Sequence, residues 1–183
     1  MQIDHNELHK FIEALLTAAG STPAEAKIVT DHLVLANLSG HDSHGVGMIP
    51  AYVNNLKAGL LHPNQHVEMV QQNGSMLVFD GRAGYGQVVA REAMEQTIKL
   101  AQETGLALSA LRNAHHIGRV GTYGEQCADA GLVSLHFVNV TGHRPLVAPH
   151  RGADARYGTN PICISLPDTA KEPRIILDFA TSK

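Results

Sequence analysis

The hydrophobic period of this chain changes once, near Leu61-His62-Pro63-Asn64, and that change constrains the fold more than any other feature. Before it, Leu8, Phe11, Ile12, Leu15, Leu16 and Ala19 recur at i, i+3, i+4, i+7, i+8 and i+11, so they form one apolar helical stripe. Asp4 with Glu7 reads as a capping-box start and Gly20 as a stop. A second helix opens with Thr22 as N-cap and Pro23 at its first position. Glu25 should reach back to the cap, and the helix should run to about Leu38 before Gly40. A third follows Pro50, turns Val53 and Leu56 inward and ends at Gly59.

From Val67 onward strands and helices alternate. The chain therefore divides into a helical region, residues 1–64, and an α/β domain, residues 65–183. Val67 to Val70 and Met76 to Phe79 flank Asn73-Gly74, a hairpin signal. A helix from about Gln87 to Glu103 is closed by Gly105, and a strand follows from Leu106 to Leu111. The next helix runs from about Gly118 to Ala130, the next strand from Leu132 to Val138. After a polar loop, Thr141 to Tyr157, come strands Ile162 to Leu166 and Ile175 to Leu177. Pattern alone reads as a doubly wound parallel sheet. The phosphate loop of such a sheet is missing, because Gly81, Gly84 and Gly86 are in the wrong order and Gly118, Gly121 and Gly124 lie three apart.

Composition narrows the function classes. A formal net charge of −3 provides no global positive field, so neither nucleic acid nor an anionic membrane is an expected partner. The N-terminus has no basic stretch followed by an apolar run, and no apolar stretch approaches the roughly 20 residues of a membrane helix, so the expected location is the cytoplasm. Cys127 and Cys163 are expected as reduced, buried thiols. Histidine is in excess, at 12 of 183 residues, and full protonation would reverse the sign of the net charge.

Two histidine clusters lie in turns, where side chains converge on clefts: His41-Asp42-Ser43-His44-Gly45 and His115-His116-Ile117-Gly118. Each histidine can exchange a proton near neutral pH, and a nearby Ser or Asp can fix its tautomer. Any one of them could instead cap a helix end, but four together with Asp42 and Ser43 exceed what capping requires. No metal site is expected: His41 and His44 are three apart but follow a helix-ending glycine, and neither H-E-x-x-H nor C-x-x-C occurs. A metal-dependent hydrolase or lyase on these clusters is the alternative from another class. His143, Arg144, His150 and Arg151 are either anion contacts or solvated loop residues.

Taken in order, Gly40 through Tyr52 with Ser43-His44-Gly45, then His115-His116-Ile117-Gly118, then Tyr157-Gly158-Thr159-Asn160-Pro161, then Leu177-Asp178-Phe179-Ala180-Thr181-Ser182, the chain resembles the malate/L-lactate dehydrogenase-like family of NAD(P)-dependent 2-hydroxyacid oxidoreductases. The resemblance spans the whole chain. It implies an α/β (α+β) fold in which an N-terminal helical region accompanies a non-Rossmann, mixed-sheet cofactor domain, in a homodimer that binds NAD or NADP and a small 2-oxo or 2-hydroxy acid. Members of the family are longer, so the chain is expected to be a C-terminally truncated piece, and the alternative to an enzyme is a non-catalytic fragment, a dimerising or binding module with cleft residues but no complete site.

By position, the resemblance makes His44 and His116 the two candidates for the acid/base, with Ser43 and Asp42 as orienting neighbours. His44, Gly118, Arg119, Val120, Asp178, Phe179, Ala180 and Thr181 match cofactor-contacting positions. A helix N-terminus at Gly118 to Val120 would suit a pyrophosphate. Tyr52, Met48 and Arg144 are the substrate candidates. Some members have an arginine where this chain has Met48, which puts a carboxylate clamp in doubt and points either to a more apolar pocket or to Met48 as simple helix packing. Within the same family, a cyclic imino-acid reductase is the other activity to consider.

Overall fold

The computed structural model describes residues 3–142 and 144–181, so His143 and Ser182 lie outside the described residues. Among the described residues the α-helices are α1 (His5–Ala18), α2 (Pro23–Leu38), α3 (Ile49–Lys57), α4 (Gly86–Thr104) and α5 (Gly121–Asp129). The strands are β1 (Glu68–Asn73), β2 (Met76–Asp80), β3 (Leu108–Arg112), β4 (Ser134–Phe137), β5 (Ile162–Leu166) and β6 (Ile175–Phe179). This is a mixed α/β architecture in two compact units, Met1–Arg119 and Val120–Lys183. The division falls inside the second of the two segments drawn from sequence.

In the first unit, α1 begins where Asp4 accepts the N–H groups of Asn6 and Glu7, and α2 where Thr22 accepts that of Glu25. Each such cap is worth about 1 kcal/mol. Glu25 does not reach back as expected. Its carboxylate accepts the Ser21 hydroxyl at 2.7 Å and the Asn64 N–H at 2.8 Å, while the Asn64 amide oxygen accepts the Thr22 N–H. The segment after α3 is thereby tied to the start of α2. Burial raises the Glu25 carboxyl above its usual range, with the Ser21 and Asn64 bonds opposing. Ile12, Leu16, Val29, Leu33, Tyr52, Leu61 and Tyr85 form one buried cluster shared by the helices.

The sheet of this unit has the order β1-β2-β3, with β1 and β2 antiparallel and β2 and β3 parallel. The purely parallel pattern suggested by alternation is therefore corrected. A two-residue turn at Gly74 and Ser75 can join only antiparallel strands, whereas α4 makes the crossover that parallel pairing of β2 and β3 needs. The turn is displaced by one residue from the Asn73-Gly74 signal, since Asn73 still pairs with Met76. Leu77 and Phe79 of β2 pack with Ala93 of α4.

In the second unit β4-β5-β6 is antiparallel throughout. Gly124 of α5 lies so near β5 that an added Cβ would be 2.9 Å from Cys163 Sγ, and Ser165 donates to the Gly124 carbonyl at 2.8 Å. Cys127 and Cys163 are buried free thiols. The sheet's other face presents Leu135, Phe137, Leu177 and Phe179, all exposed. In the long loop Val147 bridges to Tyr157. The last helix starts at Gly121, three residues later than its glycine spacing suggested, because Gly118 has φ +74° and cannot continue a right-handed turn. Among the described residues, no helix is long and apolar enough to cross a membrane.

Candidate functional site

The first unit assembles its histidines from three pieces of chain. Between α2 and α3 run two short 3-10 turns, Asp42–His44 and Val46–Met48. Asn37, near the end of α2, holds both: its amide oxygen accepts the Val46 N–H at 2.8 Å and its NH2 donates to Asp42 Oδ1 at 2.6 Å. Gly45 is required there, since any Cβ would collide with the Asn37 side chain. The second piece, His115 and His116, follows β3. It packs against the first residue of α4, where a Cβ on Gly86 would run into the carbonyl oxygens of both histidines. The third piece is α3, which contributes Tyr52 and Asn55.

These pieces bring the rings of His44 and His116 into a stack, with centroids 5.4 Å apart and planes inclined by 25°. Each ring meets a hydroxyl at Nδ1, Ser43 Oγ at 2.8 Å from His44 and Tyr52 Oη at 2.7 Å from His116. Behind Tyr52, Gln87 of α4 donates its NH2 to the phenol oxygen at 2.6 Å. Asn55 donates to His115 Nε2 at 2.8 Å, and His115 stands edge-on to Tyr52 with centroids 5.3 Å apart. Burial holds the Tyr52 phenol far above its ordinary pKa, outweighing the Gln87 bond, and lowers that of His115. Tyr52 is therefore a neutral hydroxyl at any ordinary pH. Two imidazoles with oriented Nδ1 atoms, both rings half-buried, can hold an oxygen of a small acid and move a proton to or from it.

The remaining residues singled out from sequence fall elsewhere. Asp42 is exposed and bound by Asn37. Met48 is partly buried and packs against the helical core. Gly118 and Arg119 are buried in the loop that ends the first unit, and there the Arg119 N–H donates to His32 Nε2 at 2.9 Å. His32 is itself pushed down to about 4 by burial, with the charges of Arg119 and His44 adding. Sequence reasoning missed Asn37, Asn55 and Gln87. Polar residues near helix ends read as solvated, and nothing in the one-dimensional pattern marks them as turned inward.

In the second unit, considered by itself, Val120 is the buried residue before α5, and the Gly121 N–H donates to Asp178 Oδ2 at 2.7 Å. This corrects the expected helix start: Gly118 and Arg119 are not at a helix N-terminus, and the amide that is there meets a carboxylate. Phe179 and Ala180 are exposed, and Thr181 donates both its N–H and its hydroxyl to the Thr159 carbonyl. Arg144 is exposed in the loop. Among the described residues, no group of three or more His, Cys, Asp or Glu is placed to hold a metal ion.

Comparisons with known proteins bear on the chain as a whole. Hydroxycarboxylate dehydrogenase B of Escherichia coli O157:H7 is 50% identical over 181 residues, which is 99% of this chain and 50% of that protein. The solved structure of malate dehydrogenase from Pyrococcus horikoshii superposes with a TM-score of 0.90 at 35% identity, covering 99% of this chain and 51% of that one. Sulfolactate dehydrogenase from Methanocaldococcus jannaschii gives the same TM-score, identity and coverage. This chain thus spans about half the length of the relatives it matches. The family model described as malate/L-lactate dehydrogenase matches residues 3–183, and the chain belongs to that family.

Proposed function

We propose that the chain serves an NAD(P)-dependent oxidoreductase that interconverts a 2-oxo and a 2-hydroxy carboxylic acid, with the His44/His116 pair handling the proton. The observation that carries this reading is the stacked pair itself, each ring oriented through Nδ1 by a hydroxyl. Relatives named for malate, lactate and sulfolactate support the substrate class. The nicotinamide cofactor, when bound, supplies or takes up the hydride at C2 of the acid. This chain's residues would do the rest: one histidine gives a proton to the C2 oxygen in reduction and recovers it in oxidation, while the other donates a hydrogen bond to the same acid.

Two observations bear on how the residues present suit a dinucleotide. Thr122 Oγ1, in the first turn of α5, is buried without a hydrogen-bond partner among the described residues, and is a donor of the kind that meets a sugar or phosphate oxygen. Asp178 already accepts the Gly121 N–H, so its carboxylate suits an uncharged hydroxyl or carboxamide and would repel a pyrophosphate. Asp178 and Thr122 are therefore the proposed holders in the second unit, with Val120, Phe179, Ala180 and Thr181 beside them in sequence. In the first unit Gly118, Arg119 and His44 are the proposed contacts.

The test is oxidation of NADH or NADPH by the chain in the presence of a panel of 2-oxo acids, followed at 340 nm. The reading expects turnover that falls at least about 100-fold in His44→Ala or His116→Ala with cofactor affinity little changed. Consumption of neither cofactor with any 2-oxo acid would overturn it.

A further inference from the structure

Tyr52 is fully buried, and its hydroxyl meets two neighbours, His116 Nδ1 at 2.7 Å and the Gln87 amide at 2.6 Å. The atom that Gln87 turns toward the phenol is Nε2, which can only donate. With that donor on its oxygen, Tyr52 has its own proton to give, and His116 Nδ1 is the acceptor. A neutral His116 held in this way bears its hydrogen on Nε2. The Gln87 side chain is 1% exposed, and its Oε1 has no hydrogen-bond partner among the described residues.

The arrangement has a second setting. When His116 becomes an imidazolium, Nδ1 acquires a hydrogen and must donate to the Tyr52 oxygen, so the phenol proton has to turn toward Gln87. An NH2 there cannot accept it. Rotating the amide by half a turn exchanges Nε2 for Oε1 in nearly the same volume, and the chain of bonds reverses without any other side chain moving. A glutamine fits both settings because it has one donor end and one acceptor end.

We propose that Gln87 is a positioning residue for His116: through the Tyr52 hydroxyl, the orientation of its amide selects which ring nitrogen of His116 carries the proton. The inference rests on the reading of His116 as a proton-handling group, but its geometry stands apart from any turnover. The titratable groups described against His116 include His44, stacked on it from the turn after α2, Tyr52 from α3 and the adjacent His115, with Tyr85 edge-on to Tyr52. His32 and Arg119 interact in turn with His44 or with one another. The hydrogen bonds described for the Tyr52 hydroxyl are those to His116 and Gln87, and the amide is the end of that chain with both a donor and an acceptor to offer.

Histidine tautomers are read directly from the ring nitrogen shifts in long-range nitrogen–proton NMR spectra of the chain labelled with nitrogen-15, and the measurement needs no cofactor. In the unaltered chain, above the titration midpoint of His116, Nε2 should show the protonated type of shift and Nδ1 the unprotonated type. Gln87→Glu puts an acceptor where the donor was, so the neutral ring should switch to Nδ1–H and the midpoint should rise by about 1 pH unit or more. If that protein does not fold, Gln87→Met removes donor and acceptor together and should leave a mixture of tautomers. An Nδ1–H ring in the unaltered chain, or a folded variant whose tautomer matches the unaltered one, overturns the proposal. An inactive chain that shows the expected tautomers would overturn the dehydrogenase reading and leave this one standing.

Discussion

Nε2 of His32 accepts the main-chain N–H of Arg119 at 2.9 Å, so a buried histidine of α2 holds the loop that follows His115 and His116. The bond needs an unprotonated Nε2, and burial, with Arg119 and His44 adding, lowers the folded-state pKa from 6.5 to about 4. The unfolded chain takes up this proton below pH 6.5 while the folded chain refuses it until about pH 4, so more protons are bound unfolded across that window. The stability contributed is complete above pH 6.5 and is lost as pH falls toward 4. A shift of this size corresponds to about 3 kcal/mol. Urea unfolding at pH 7 and pH 4.5 should show most of the loss, and His115, also lowered by burial, contributes with the same sign. Equal stability at the two pH values would contradict the account.

Gly118 beside this bond should be irreplaceable. Its φ of +74° already disfavours an L side chain, and a Cβ there would run into the His32 ring. Gly105 has nearly the same backbone angle, +83°, with nothing within 4 Å of its Cβ position. Gly105→Ala is expected to cost only the backbone penalty, about 1–2 kcal/mol. Gly118→Ala adds the collision and should exceed it by about 2 kcal/mol or more. Chemical denaturation of the two variants side by side separates conformation from contact.

Asn37→Ala removes the acceptor of the Val46 N–H and the donor to Asp42 in one step. The turn that carries Ser43 and His44 then has no side chain tying it to α2 at those atoms. Losing a partly buried bond of this type costs about 1–3 kcal/mol, so the Val46 amide should exchange with solvent roughly 10-fold faster or more. Amides in the middle of α4 should keep their protection. Uniform acceleration throughout would mean that Asn37 supports the fold at large and not the turn.

Helices α1, α2 and α4 were legible from sequence because their ends are written locally, whereas the start of α5 was not: Asp4 and Thr22 cap α1 and α2, and Gly105 closes α4 within a residue of its expected place. Strand pairing was less legible, since period shows that β1, β2 and β3 exist but only turn length and crossover decide their direction. The histidine clusters stood out by type and spacing, and the first unit does bring His44 to His116. What sequence could not supply is the set of tertiary partners. Gln87 is second in its helix and Asn37 next to last in its own, positions where polar residues ordinarily face water. Gln87 meets a residue 35 positions away, and Asn37 meets two across a bend, 5 and 9 positions on, and no local rule encodes either.

Asp178 gives the last prediction, because it does two things that different substitutions separate. Its Oδ2 accepts the Gly121 N–H at 2.7 Å at the start of α5, so it satisfies an amide and places a negative charge at the positive end of a helix. Asp178→Ala loses both and should destabilise by about 1–2 kcal/mol. Asp178→Asn keeps an acceptor oxygen and loses the charge, and should cost less than about 1 kcal/mol. Dinucleotide binding adds a second readout. If the carboxylate accepts a sugar hydroxyl or a carboxamide, as proposed, both variants weaken NADH binding in a fluorescence titration, the alanine more. If the pyrophosphate instead sat on the α5 amides, removing the repelling charge would tighten binding in Asp178→Asn, and the assignment of Asp178 to the uncharged part of the cofactor would fall.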